Sequence, residues 1–318
     1  IKDGKVVAID TPKETEVNAG HTCIKGRYAF GFYDHPDRLR SPLIKRSGKF
    51  EEASWDEAYE YIKNKLEKIK KENGPDAIAG ISSARCTNEE NYVFQKMIRA
   101  VVGTNNIDCC ARICHSPTAW GMQQTFGTGA ATNSTEDIYH ADLFIVIGAN
   151  PTSNHPKFAE ILRKHRENGG NIIAVNPSIE SELNKLTTHY CQPNIGGDVA
   201  LFTGVSKCLI ENGQIDVGNI KENIVGFNQF QKFTDKISWE TIETNSGIEK
   251  NEIMLISDLY ASSKRTVFSW GMGLTHHVNG TDNIESIINL AILLSLIHIS
   301  EPTRLLSIAY AVFCVKKK

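Results

Sequence analysis

The feature that most constrains what this chain can fold into is the run L-F-I-V-I at 143–147, followed at once by Gly148-Ala149-Asn150-Pro151. An unbroken apolar run of this kind fits a strand buried on both faces of a parallel sheet, with helices covering each side. A small-residue turn at its C-terminal end, ahead of a helix expected over 156–167, is where an open parallel sheet holds a nucleotide or phosphate. The arrangement recurs. A strand expected over 172–175 ends in Asn176-Pro177-Ser178, Gly196-Gly197-Asp198 leads into a helix at 199–211, and a strand at 265–270 ends in Gly271-Met272-Gly273-Leu274-Thr275. Glycines after a strand let a ligand approach the backbone closely. Each of these turns, taken alone, is more simply read as plain loop chemistry. No G-x-G-x-x-G occurs, so the ordinary nicotinamide fingerprint is absent.

Upstream, helical and extended patterns also alternate, which makes the chain α/β. Asp3-Gly4 lies between extended segments and predicts a hairpin. Residues 35–46 are basic and Pro-punctuated, and read as a solvated connector. Ser54-Trp55-Asp56-Glu57 has the form of a capping box, and Ala58, Tyr61, Ile62, Leu66 and Ile69 follow as an apolar stripe at helical spacing until Gly74-Pro75. A short buried strand is expected at 77–81 and a second helix at 89–102, closed by Gly103. Ser134-Thr135-Glu136-Asp137 is expected to start another short helix.

Between these elements lies C-C-A-R-I-C-H-S-P-T, beginning at Cys109, in which Cys114 and His115 set a thiol beside an imidazole. Such a cysteine belongs on a loop or at a helix start, and four readings are open. It is a small buried hydrophobe; a nucleophile with His115 as base, although adjacent residues seldom face each other; part of a metal set with Cys109 and Cys110, although C-C-x3-C lacks the hook of structural zinc sites; or the single protein ligand to a metal carried by a cofactor.

The whole stretch N-Y-V-F-Q-K-M-I-R-A-V-V-G-T-N-N-I-D-C-C-A-R-I-C-H-S-P-T, residues 91–118, resembles the catalytic segment of formate dehydrogenase alpha subunits. These are molybdenum or tungsten bis-pterin oxidoreductases of the dimethyl sulfoxide reductase-like type, and the likeness continues through most of the chain. The resemblance implies parallel-sheet αβα domains and a small N-terminal β-containing cluster domain. It also implies that Cys114 is bound to the metal and that His115 sits beside the substrate. N-A-G-H-T-C-I-K-G-R at 18–27 resembles the segment carrying the fourth cysteine of a [4Fe-4S] cluster. Cys23 matches that ligand and Lys25 a lysine between cluster and pterin, while the other three ligands of the family lie upstream of this sequence. The polar turns correspond to the cradle of a bis-molybdopterin guanine dinucleotide, which carries over to Gly148, Asn150, Asn176, Gly197, Asp198, Met272 and Gly273. Ser178 and His276 depart from the family pattern, where arginine and glutamine are common, and the family's substrate-side arginine lies beyond Leu293.

The implied reaction is oxidation of formate to carbon dioxide at a Mo or W centre, with electrons leaving through the pterin, past Lys25, to the cluster. Electron-transfer subunits are the implied partners. The alternatives are an oxyanion reductase of nitrate type, against which the Cys-His-Ser-Pro-Thr context speaks, and a non-catalytic structural or electron-wiring subunit, against which the intact Cys114-His115 pair speaks. The resemblance divides the chain into a partial cluster domain (1–50), the first part of an αβ cofactor-binding domain (51–110), a Rossmann-like pterin nucleotide domain (111–293) and a tail (294–318).

Composition narrows the remaining classes. With 318 residues, 41% of them hydrophobic, the chain can bury a large core, and a net charge of −2 speaks against general binding to nucleic acid or anionic membranes. Eight cysteines without regular spacing do not form a disulfide framework and point to a reducing, cytoplasmic compartment. The apolar run near 287–299 is interrupted and too short to span a membrane. The chain opens at Ile1 inside an extended pattern, so a signal upstream, and with it a periplasmic location, stays open. The tail, L-S-L-I-H-I-S-E-P-T-R from Leu294 and Y-A-V-F-C-V-K-K-K from Tyr310, resembles a translated sequencing-library adapter. It is expected not to be native, and Cys314 to carry no function.

Overall fold

A computed structural model describes residues 1–11, 22–131, 138–294 and 299–300, the last pair by backbone alone. The chain forms two compact units, 1–112 and 113–318. The helix expected from Ser134 to Asp137 and nearly all of the tail, Cys314 included, lie outside the described residues.

In the first unit the Asp3-Gly4 turn forms, with Lys2 and Lys5 exchanging backbone hydrogen bonds of 2.9 Å, but it is an isolated bridge and not a strand pair. The expectation of a β start is corrected to that extent. Val6 and Val7 are exposed, and among the described residues neither pairs in a sheet. A short helix α1 (Ile24–Tyr28) follows, with Cys23 at its N-cap. The stretch read as a connector ends in a strand, β1 (Leu43–Arg46), paired antiparallel with β2 (Lys49–Glu52). Ser47 and Gly48 join them with positive φ values of 47° and 86°, a turn whose twist suits a two-residue hairpin.

Helix α2 (Trp55–Asn73) starts where Ser54 Oγ accepts the Glu57 amide at 3.2 Å and ends at Gly74, whose φ is 83°. The reciprocal half of that capping box is not made, because the Glu57 carboxylate pairs with Arg46 instead. A complete box occurs one helix later, between Thr87 and Glu90 at the start of α3 (Asn88–Lys96). This helix loosens into one π turn, Met97–Val102, before Gly103 closes it. The strand expected at 77–81 forms slightly later, as β3 (Gly80–Ser82), because Pro75–Ala77 makes a 3-10 turn. Its parallel partner β4 (Ile107–Cys109) lies in a stretch that reads as turn-formers. Ile78, Ile98 and Val102 form the core of the unit, with Leu66, Phe94 and Ile107 against it. Of the α2 stripe only Ala58 is buried, while Tyr61, Ile62 and Ile69 are exposed.

The second unit begins with the end of the short turn α4 (Ala111–Cys114) and with α5 (Ser116–Phe126). Its sheet contains β5 (Leu143–Ile147), β6 (Asn171–Val175), β7 (His189–Cys191), β8 (Thr266–Trp270) and β9 (Ile299–Ser300). All pairings are parallel, and the order is β7-β6-β5-β8-β9. Between β5 and β6 lie α6 (Pro151–Asn154) and α7 (Pro156–Glu167), and between β6 and β7 the turn α8 (Ser181–Asn184).

After β7 come α9 (Asp198–Glu211), α10 (Val217–Asn223), α11 (Phe227–Lys236), α12 (Trp239–Ser246) and α13 (Lys250–Ala261). After β8 come α14 (Met272–Thr275) and α15 (Gly280–Leu293). Every residue of β5 and β8 is buried, and alternate side chains enter two layers. Leu143, Ile145, Ile147, Phe268 and Trp270 pack with residues of α9, α13 and α15, while Phe144, Val146 and Val267 pack with α7. A sheet covered on both faces is what the apolar runs predict.

Candidate functional site

The second unit's sheet reverses its winding at β5. From there the chain moves outward through β6 to β7, then returns to the other side of β5 as β8. At such a switch point the loops after the two central strands run in opposite directions and leave a crevice outside the strand ends. Gly148, Asn150, Asn176, Met272 and Gly273 all follow the C-terminal ends of β5, β6 and β8, so the topology gathers them on one edge.

Close packing on that edge explains its glycines. The Gly273 amide donates to Gly148 O at 3.0 Å, and Gly271 donates to Ile147 O at 3.2 Å. A Cβ on Gly273 would stand 2.6 Å from Gly148 O, and one on Gly148, whose φ is 53°, would stand 3.0 Å from Gly273 Cα. These glycines therefore have a structural reason that holds without any ligand. Asn150 caps α6. Its Oδ1 accepts from Thr152 Oγ1 at 2.5 Å and from the Ser153 amide at 3.4 Å, and its Nδ2 donates to Glu180 at 2.7 Å. Glu180 was not legible as part of this edge, because it stands 30 residues from Asn150.

The turn after β6 is fixed from β7. The Asn176 amide donates to Cys191 O at 3.0 Å, and Tyr190 Oη donates to Ser178 O at 2.7 Å. Gly197 caps α9 against α12, where a Cβ would meet Asn245 O at 2.8 Å. Asp198 opens α9 and is 8% exposed. Burial raises its carboxyl above the usual carboxylate range, opposed by the nearby His277. Met272, in contrast, is exposed at the start of α14.

Cys114 ends α4 and His115 is the N-cap of α5, so the pair lies directly before the first turn of an 11-residue helix, where a helix dipole favours an anion. Both are half-buried. Helix α5 is seated against α15 through Gly121, where a Cβ would meet Ile284 Cγ2 at 3.2 Å, and through the buried Met122. Thr275 Oγ1 donates to Cys114 O at 2.8 Å, and Trp270 Nε1 donates to Thr118 Oγ1 at 3.1 Å. No sequence signal announces these contacts, which join residues 161 and 152 positions apart. Two other cysteines have a different character. Burial, then Glu252, pushes the Cys191 thiol up, and burial pushes that of Cys208 up to about 11, as in inert core thiols.

Cys23 and Lys25 lie on α1 of the first unit, Cys23 half-buried and Lys25 exposed. A [4Fe-4S] cluster needs four ligands, and among the described residues no three His, Cys, Asp or Glu side chains group as ligands to a metal. Cys23 alone therefore does not make a cluster site. The second unit's edge is a better match for a pterin nucleotide. It has small residues at the turns, an asparagine, a buried carboxyl and, at the end of α4, a soft thiol.

Residues 38–308 match the molybdopterin oxidoreductase family. The chain is 38% identical over 291 residues to F420-dependent formate dehydrogenase 2 subunit alpha of Methanococcus maripaludis, covering 92% of this chain and 42% of that protein. It is 35% identical over 300 residues to formate dehydrogenase H of Escherichia coli, with 92% and 42% covered. The chain thus spans less than half the length of these relatives. Acetylene hydratase from Pelobacter acetylenicus has a similar fold, with a TM-score of 0.65 and 20% sequence identity over 86% of this chain and 37% of that one. The match across the switch-point sheet and the cysteine-bearing turn places this chain in the molybdopterin oxidoreductase family.

Proposed function

We propose that this chain is part of the catalytic subunit of a formate dehydrogenase, which oxidises formate to carbon dioxide at a Mo or W centre carried by bis-molybdopterin guanine dinucleotide. The observation that carries the reading is the Cys114-His115 pair set at the start of α5, in a chain whose relatives are named formate dehydrogenases. When bound, the cofactor supplies the two-electron redox chemistry, and the protein supplies ligation, orientation and electrostatics.

Each residue then has a chemical task. The Cys114 thiolate is the protein ligand, and the first turn of α5 favours its negative charge. His115 orients formate or takes up its proton, a role suited to an imidazole. Gly148, Asn150, Asn176, Gly197, Asp198, Met272 and Gly273 hold the nucleotide part. Asp198 suits the amide and amino donors of a guanine base. Lys25 acts on the electron path out of the pterin, and Cys23 is one ligand of a cluster completed by residues other than those described. Electron-transfer subunits accept the electrons, in keeping with the "subunit alpha" in a relative's name. Among the described residues no helix is long and apolar enough to cross a membrane. We place the protein in the cytoplasm on its cysteine usage.

The test is formate-dependent dye reduction by the full-length protein and its Cys114→Ser and His115→Ala variants. Cys114→Ser is expected to keep the pterin and fall to background. His115→Ala is expected to lose roughly a hundredfold to ten-thousandfold, as acid–base residues do. Near-normal turnover in Cys114→Ser would remove the ligand assignment, and an unmodified enzyme that reduces nitrate but ignores formate would change the reaction class.

A further inference from the structure

The turn that carries Cys114 is weakly buried. Ile113 is 61% exposed, residues 114–117 are half-buried, and Thr118 is the first fully buried side chain after the cysteine. Apolar packing alone therefore does not fix the position of the thiol. Two hydrogen bonds reach the turn and the first turn of α5, from α14 and from the end of β8. Thr275 Oγ1 donates to the carbonyl of Cys114 itself at 2.8 Å, and Trp270 Nε1 donates to Thr118 Oγ1 at 3.1 Å.

The groups that make these bonds are almost wholly shielded from water. Thr275 is 2% exposed, Thr118 1% and Trp270 0%. Their geometry is set in turn by α15. Asn283, fully buried, donates from Nδ2 to Leu274 O at 3.0 Å, and Asn279 Nδ2 donates to Asn283 Oδ1 at 3.2 Å. Threonine is β-branched and stiff at χ1, so its hydroxyl is aimed by the backbone and by the seat of its methyl group. A buried hydrogen bond of this kind is costly to leave unmade.

We propose that Thr275 is a positioning residue for Cys114. Its hydroxyl fixes the backbone of the ligand residue and so sets how the thiolate meets the metal. The inference rests on the assignment of Cys114 as the ligand. It also makes α14 a bridge, since Met272 and Gly273 at its beginning face the proposed cofactor edge while Thr275 at its end holds the ligand turn. Groups behind a metal ligand typically change affinity or activity by about tenfold to a hundredfold when removed.

The experiment uses the full-length holoenzyme with Thr275→Val, which removes the hydroxyl at nearly constant volume, and Thr275→Ser, which keeps it. Thr275→Val is expected to lower kcat by about tenfold to a hundredfold while KM for formate stays close to that of the unmodified enzyme. It should also alter the protein-sulfur contribution in X-ray absorption at the metal edge and speed amide exchange at residues 114–118. Thr275→Ser should restore most of each. If Thr275→Val does not fold, Thr275→Ala gives the same reading without added bulk. A variant lacking the hydroxyl but with unchanged metal-edge spectrum, exchange and kcat overturns the proposal. So does a serine variant that behaves like valine, because the methyl packing would then be responsible. Cys114→Ser in parallel separates the two levels. If that variant keeps the protein sulfur, the ligand assignment fails, and if it loses the sulfur while Thr275→Val is silent, only the positioning role fails.

Discussion

The two units follow the same local rules and acquire very different interiors. Each has capped helices and parallel strands: Ser54 and Thr87 cap helices in the first unit, Asn150 and Asp216 in the second. Yet the described sheets of the first unit have two strands each, and Ile81, on β3, is 79% exposed. In the second unit β5 and β8 are buried at every residue, between helices on both faces. Caps and periodicity create elements. A parallel strand becomes core only when layers cover both of its faces and neighbours occupy both of its edges.

The sharpest way to break this comparison is to delete an aromatic ring from each unit. Phe144 is fully buried and stacks edge-on with Phe158 at 5.8 Å and with His165 at 4.8 Å. Phe144→Ala is expected to cost about 3–5 kcal/mol, whereas Tyr59→Ala on exposed α2 should stay within about 0.5 kcal/mol. Urea unfolding followed by amide exchange in each unit reads both, and equal losses would refute the contrast. Backbone contact gives the next effect. Gly148→Ala should cost about 1–3 kcal/mol by overpacking against Gly273. Gly127→Ala, also at positive φ but facing open space, should cost less. A midpoint order opposite to this would show that the close approach of the two loops relaxes easily.

Capping should matter in the first unit even without a large core. Thr87→Ala removes the complete box at α3 and is expected to cost about 1 kcal/mol, while Ser54→Ala, whose box is half-made, should cost less. Helix content on thermal unfolding checks the order. The smallest effect is one of pH. Burial holds the His165 imidazole below its ordinary value of 6.5, against the hydrogen bond to Asn171 O, which raises it. The unfolded chain therefore binds the proton more readily. This contribution is complete above pH 6.5 and is lost as pH falls through the lower folded value. Unfolding midpoints of the second unit should decline over that acid window, and less so in His165→Gln. A pH-independent midpoint difference between the two proteins would remove the assignment to this imidazole.

How much was legible follows from which forces act locally. The apolar run at 143–147 and the helix at 156–167 form with the expected bounds, because full burial and a Pro start leave clear local marks. The strand β4 was hidden at the end of the turn-forming stretch 103–108, and Ile107–Cys109 become a ladder only beside β3. Helices α10 to α13 carried no clear signal in the sequence, and β7 is only three residues long. The α2 stripe was legible as a pattern, but the pattern could not say whether anything packs on it.

For the site, residue chemistry by itself determined the thiol and imidazole at 114 and 115, the small-residue turns after the strands and the family they resemble. Tertiary structure alone decided that Gly148 and Gly273 meet backbone to backbone, that Asn150 reaches Glu180 and that Thr275 holds the carbonyl of Cys114. The division has a simple cause. Backbone torsions, caps and strand patterning are settled by neighbours a few positions away. A hydrogen bond between residues 161 positions apart exists only after a parallel sheet has brought the end of one strand beside the start of a distant helix.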